Sequence, residues 1–313
     1  MLSNFIICIR AILPLICYLI IGAGAKSAGL IRVEEVHRFN HLVFVLFFPP
    51  LMFENLYTAD LGTAFHPKLV IYGVICLLLT VLVSVPLVRR VEPSRNSQGA
   101  MIQGIFRSNL VLMGLPISMN IFGKGNVGTT AAFIMVIVPM FNMLAVIVLE
   151  SYRGGRTDLK SMVKKILLNP LIVGAAAGII VKLLGITLPE VLQQVLSAMS
   201  DATTPITLIL LGASFELKRV KDRRRSLAFV VAARLLVVPA IGLSVAALLG
   251  FRGVDFVSLL VMLAAPAAVS SYTMAESMGS DGELAGHIVI FSTLLSCFTL
   301  FLWLYIFKSL GVF

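Results

Sequence analysis

The chain has 313 residues, of which 59% are hydrophobic and only 13% charged, with a formal net charge of +10 and a mean hydropathy of +1.01. Soluble domains carry charge on about a quarter of their residues, so a water-soluble globule is excluded. The strict alternation of a membrane β-barrel is absent too, and many apolar runs reach the ~20 residues a helix needs to cross a bilayer.

Taken in chain order, hydropathy breaks, turn residues and charges predict ten spans: 6–25, 36–57, 68–88, 98–122, 127–149, 166–184, 191–215, 226–248, 254–277 and 284–309. The first is read as a span, although Ala23-Gly24-Ala25 faintly resembles a leader cleavage site. Arg10 interrupts its apolar run and no basic stretch precedes it. Cys8, Cys17, Cys76 and Cys297 are scattered singly through apolar stretches and suggest neither a metal nor a redox centre. No cofactor is expected.

The two halves repeat at an offset of 156 residues. Pro14-Leu15-Ile16 matches Pro170-Leu171-Ile172, and Gly22, Lys26 and Gly29 match Gly178, Lys182 and Gly185. Glu34 matches Glu190, Pro49 matches Pro205, and Gly123 meets Gly279. Shared Pro, Gly and Lys argue for duplication more strongly than shared Leu. The division expected is 1–150 as a first five-helix repeat, 151–165 as a short cytoplasmic linker, and 166–313 as a second repeat. Five is odd, so the second copy must enter the membrane from the other side, and the repeats are inverted.

Basic residues orient the spans. The loops after spans one, three, five and seven hold Lys26, Arg32 and Arg38; Arg89, Arg90 and Arg95; Arg153, Arg156, Lys160, Lys164 and Lys165; and Lys218, Arg219, Lys221 and Arg223 to Arg225. The loop after span nine holds none. The four opposite loops hold one each: Lys68, Lys124, Lys182 and Arg252. Cytoplasmic loops retain Lys and Arg, which places both termini outside a cell membrane. The run from Lys218 to Arg225 lies directly beneath a span without interleaved aromatics, so it reads as an anchor beside anionic lipid rather than a nucleic-acid patch.

Polar groups at bilayer depth are costly and are the candidate functional residues. Span four carries Arg107, Ser108 and Asn109, then Gly114 and Pro116; span nine carries Pro266, then Ser270, Ser271 and Tyr272. Pro116 cannot bond the carbonyl of Leu112, so a helix break is expected there, matched by one at Pro266. Each would leave a half-helix whose free amides suit a carboxylate. Arg107 either pairs with an anionic substrate or snorkels towards the cytoplasm; Asn109 is too short to snorkel. Asp201, midway through span seven, is a candidate proton carrier or a partner for Arg107 or Arg234. Glu54, Asn55 and Glu276 read as interface residues, and Asn142 and Asn169 as packing contacts between helices. No HExxH, GxSxG or aspartate-rich diphosphate motif is present, so an enzyme is not expected.

Arg107-Ser-Asn109 with Gly114-Leu-Pro116, then Pro205-Ile-Thr-Leu-Ile-Leu-Leu-Gly212-Ala-Ser, then Ala265-Pro266-Ala-Ala-Val-Ser-Ser271-Tyr272, resemble the auxin efflux carrier family in its bacterial form, over essentially the whole chain. The resemblance implies an all-α fold of ten transmembrane helices in two inverted five-helix repeats. Helices four and nine would be broken and would cross at the substrate site, as in bile-acid sodium symporters. It implies Asn109, Pro116 and Pro266 as crossover positions, a scaffold part moving against a transport part, and a homodimer. The activity implied is secondary transport of a small organic anion, carboxylate or auxin-like acid. Proton linkage or uniport is favoured, because the dense polar set of a sodium site is missing. The alternatives are a sodium-coupled symporter of the same fold, a membrane-embedded enzyme, or a channel.

Overall fold

The computed structural model describes residues 2–58, 65–123, 128–153, 159–216, 220 and 222–313. Lys124, Arg156, Lys218, Arg219 and Lys221, counted above among the loop charges, lie outside the described residues. The described residues form helices without a strand. They are α1 (Leu2–Ser27), α2 (Val33–Leu42), α3 (Phe48–Tyr57), α4 (Pro67–Val91), α5 (Arg95–Phe106), α6 (Leu110–Phe122), α7 (Gly128–Tyr152) and α8 (Leu159–Leu167). There follow α9 (Pro170–Leu183), α10 (Glu190–Ser214), α11 (Arg224–Ala232), α12 (Val238–Leu248), α13 (Gly253–Ala264), α14 (Ser270–Ser277) and α15 (Gly282–Ser309).

Six continuous helical stretches among the described residues are long and apolar enough to cross a membrane: Glu34–Tyr57, Pro67–Val91, Gly128–Tyr152, Glu190–Ser214, Arg224–Leu248 and Gly282–Ser309. Four shorter apolar stretches accompany them: Ile12–Ser27, Leu110–Phe122, Pro170–Leu183 and Gly253–Ala264. The chain is an integral, multi-pass membrane protein. Large apolar side chains such as Ile20, Leu82, Leu248 and Phe298 point outward, as a lipid solvent permits.

Two of the long stretches contain a π-helical turn, Val43–Phe47 between α2 and α3 and Ala233–Val237 between α11 and α12. Each precedes proline: Pro49 and Pro50 in the first, Pro239 in the second. Proline has no amide hydrogen, so carbonyls four residues earlier lose their partner and the helix shifts register. The carbonyl of Leu235, left by Pro239, accepts instead from the Trp303 indole at 2.9 Å.

Positions 156 residues apart share features of local structure and packing. Gly29 and Gly185, 156 residues apart, both end a helix at positive φ, 73° and 65°. Both are followed by the same closure: Leu30 N donates to Ala25 O at 2.9 Å, and Ile186 N to Val181 O at 3.1 Å. Close helix contacts repeat at the same offset. A Cβ on Gly22 would stand 1.9 Å from the Ile209 carbonyl oxygen, and one on Gly178 would stand 2.5 Å from that of Phe53. Gly178 follows Gly22 by 156 residues, as Ile209 follows Phe53. These glycines let α1 lie against α10 and α9 against α3 at backbone distance, the usual device where no hydrophobic effect drives helices together.

Candidate anion site at the helix crossing

Two extended segments interrupt helices inside the protein. Arg107 to Asn109 separates α5 from α6, and Ala265 to Val269 separates α13 from α14. They pass antiparallel: Asn109 N donates to Pro266 O at 2.9 Å and Ala268 N donates to Arg107 O at 3.2 Å, with Ser108 opposite Ala267. Non-helical backbone away from water must find such partners. Pro266 contributes by lacking an amide and by holding Ala265 extended, at ψ 153°.

The first break does not fall at Pro116. α6 runs through Pro116, which is exposed on its flank and outside the crossing. The carbonyl of Leu112 can lose its intrahelical amide without ending the helix, so proline here is tolerated rather than a breaker. The interruption comes at Asn109, the residue before the first turn of α6.

Arg107 is 3% exposed and makes two hydrogen bonds to neutral groups: Nη1 donates to Met274 Sδ at 2.6 Å, and Nη2 donates to Asn142 Oδ1. Asn142 Nδ2 in turn donates to Met52 Sδ at 2.8 Å. No carboxylate pairs with Arg107 among the described residues. A cavity of about 100 Å³ opens beside it, lined by Arg107, Ser108, Asn109, Asn142, Thr204 and Thr207 with neighbouring apolar residues. Ser108 Oγ and Asn109 Nδ2 are buried there without a partner among the described residues. The amides of the first turn of a helix have no intrahelical acceptor, so α6 adds donors and partial positive charge at the same point. A buried guanidinium, two idle donors and a helix N-terminus converge without an acid in the lining. That arrangement offers donors and positive potential suited to an anion. Residues 52, 55, 111 and 138 also line a second, mostly apolar cavity of about 330 Å³, so the two spaces adjoin.

Of the residues expected at the site, Arg107, Asn109 and Ser270 line the cavity together. Pro266 holds the crossing through its carbonyl. Ser271 is buried with its carbonyl accepting from Gln103 Nε2 at 2.9 Å. Tyr272 faces a different cavity, of about 290 Å³, with His37, Glu276 and His287. Glu276 bonds His37 there at 2.6 Å. Asp201 is exposed on α10 and pairs with neither Arg107 nor Arg234. The expectation of a pair fails because α10 turns Thr203 and Thr207 inward and Asp201 outward. Asn55, Asn142, Thr204 and Thr207 were not expected in the site. Their signal was present, since each is polar within an apolar span, but distance along the chain hides their convergence.

Residues 7–304 match the model of a family described as membrane transport protein. This is the auxin efflux carrier family that the motifs resemble. An uncharacterized transporter of Methanothermobacter thermautotrophicus is 24% identical over 297 residues, covering 94% of this chain and 96% of that protein. An uncharacterized transporter of Methanocaldococcus jannaschii is 21% identical over 303 residues, covering 93% and 96%. A protein of Rhizobium meliloti whose name proposes malonate transport is 26% identical over 147 residues, 47% of this chain and 46% of that one.

Proposed function

This chain belongs to the membrane transport protein family, and we propose that it is a secondary carrier for a small organic anion, bound at the crossing by Arg107, Asn109 and the amino end of α6. The observation that carries this is Arg107, a buried cation without an acidic partner among the described residues, facing a cavity with unpartnered donors. An isolated buried charge is costly, and an arriving carboxylate supplies what it lacks. Ser270 lines the same cavity, and Pro266 fixes the backbone on which the site is built.

In this reading ten membrane segments form two inverted five-helix repeats, α1 to α7 and α9 to α15, with α8 in the short linker between them and both termini on the non-cytoplasmic side. The Thr203 hydroxyl donates to the carbonyl of Phe47 at 3.2 Å, between residues one repeat offset apart. Contact between equivalent positions is what a two-fold axis passing between them produces. The segments α1, α2–α3, α9 and α10, joined by the glycine contacts, act as the scaffold. The two crossing pairs move against it, exposing the anion to each side in turn. A homodimer through the scaffold is part of the same proposal.

The experiment is counterflow in proteoliposomes with labelled mono- and dicarboxylates. Asn109→Ala should reduce both binding and exchange of the accepted acid by ten-fold or more. Unchanged binding and exchange would remove Asn109, and with it this site, from transport.

A further inference from the structure

Arg234 is the second buried arginine of the crossing, and its surroundings differ from those of Arg107. It is 1% exposed and, among the described residues, bonds only to main-chain carbonyls: Nε to Ala265 O at 2.9 Å, Nη2 to Met262 O at 2.7 Å, and Nη1 to Ile105 O at 3.1 Å and Phe106 O at 3.3 Å. These four oxygens belong to the last turns of α5 and α13 and the residue just beyond. Each helix end carries unsatisfied carbonyls and a partial negative charge. Bringing two such ends together away from water assembles a cage of oxygens that needs a cation, and broken helices in carriers commonly fill one with sodium or a proton. Here the planar fork of a guanidinium, always charged, already spans both ends. The π-helical turn Ala233–Val237 carries it, and such turns are frequent at functional sites.

We propose that Arg234 is a tethered replacement for an alkali cation at the crossing, so that substrate movement by this protein is independent of sodium and potassium. The transport part of this statement rests on the carrier function proposed above; the structural part does not. The guanidinium stays with the chain through every cycle, so the charge that holds α5 to α13 is never released and contributes no ion gradient to transport.

The test uses the full-length purified protein in two arms. In detergent, thermal unfolding is followed in sodium, potassium or N-methylglucamine chloride at constant ionic strength. Wild type should unfold at one temperature in all three. R234A should unfold earlier and recover in a saturable manner with millimolar guanidinium or a small alkali ion, but not with N-methylglucamine. R234K, which keeps the charge on fewer donors, should fall between and stay indifferent to the salt. In proteoliposomes, wild-type exchange should change less than two-fold when N-methylglucamine replaces sodium. Saturable stabilisation of wild type or R234K by sodium or potassium overturns the proposal. So does an R234A protein that is as stable as wild type, or one that is destabilised and answers to no cation. If R234A does not fold, wild type and R234K decide alone. Absence of carboxylate exchange in wild type would strike the proposed function and leave the unfolding arm readable.

Discussion

Replacing Arg107 with methionine separates a binding role from a structural one, because the two roles predict opposite signs. The guanidinium is nearly fully buried, its two hydrogen bonds go to a thioether and a side-chain amide, and no acid pairs with it among the described residues. Removing it orphans Asn142 Oδ1, at about 1–3 kcal/mol. It also removes a buried cation whose desolvation costs several kcal/mol, and apolar substitutes for buried ions are often neutral or stabilising by about 1–4 kcal/mol. The second effect is the larger, so ligand-free R107M should unfold at the wild-type temperature or above it. Binding moves the other way. Losing two charge-assisted hydrogen bonds of about 1.5–3 kcal/mol each weakens a carboxylate by roughly 10² to 10⁴-fold. Thermal unfolding with and without the acid reads both quantities from one protein, since ligand raises stability only through the folded state. An R107M protein that unfolds much earlier than wild type while keeping its affinity would show that Arg107 is a structural strut, and the anion site would be wrong.

Four further outcomes follow from the same geometry. Gly22→Ala should lower the unfolding temperature sharply and reduce folded yield, because its Cβ meets the backbone of Ile209 at 1.9 Å. Gly24→Ala, with nothing within 4 Å, should be neutral or stabilising by about 0.5–1 kcal/mol. Trp303→Phe should cost about 1–3 kcal/mol by orphaning the Leu235 carbonyl, and Pro239→Ala, which restores an amide four residues on, should recover part of that in a double-mutant cycle. Asp201→Asn should leave exchange and its response to an imposed pH gradient unchanged, since the side chain faces outward from α10; an altered pH response would return proton transfer to Asp201.

Much of the fold was legible because bilayer crossing leaves local marks, as does the 156-residue offset. Helical residues make up most of each stretch read as a span, with interruptions at 107–109, 168–169 and 265–269, and the matched glycines Gly29 and Gly185 end their helices with the same closure. The break in the second half was legible at Pro266, where a missing amide and a restricted preceding residue act together. In the first half Pro116 misled, since one proline on the exposed flank of a helix costs a single hydrogen bond. The 156-residue offset held the better clue: Pro266 carried back by it falls on Leu110, at the edge of the observed break. Asn142 and Arg234 were visible only as polar residues in apolar spans. Their partners lie 35 residues away for the Arg107–Asn142 contact and 28 to 129 residues away for Arg234, a separation no local pattern encodes.

In the function proposed here, the two arginines would make the crossing favour anions rather than merely tolerate them. Arg234 reaches the carbonyls of Ile105 and Phe106, immediately before Arg107 in the chain, so the two guanidiniums flank one stretch of backbone. The first has its charge offset by two helix carboxyl ends, which are fixed partial negatives. The second meets no such group: its neighbours are Asn142, Met274 and the amino end of α6, which adds positive rather than negative potential. Opposite ends of the broken helices are thereby sorted, carboxyl ends to Arg234 and the α6 amino end to the cavity. A field arranged this way is built before any solute arrives. It weakens far less with ionic strength than a field from surface charges, because buried groups are poorly screened. The dissociation constant of the accepted acid should therefore vary little with salt, and a steep salt dependence of that affinity would place the anion near the basic loops instead.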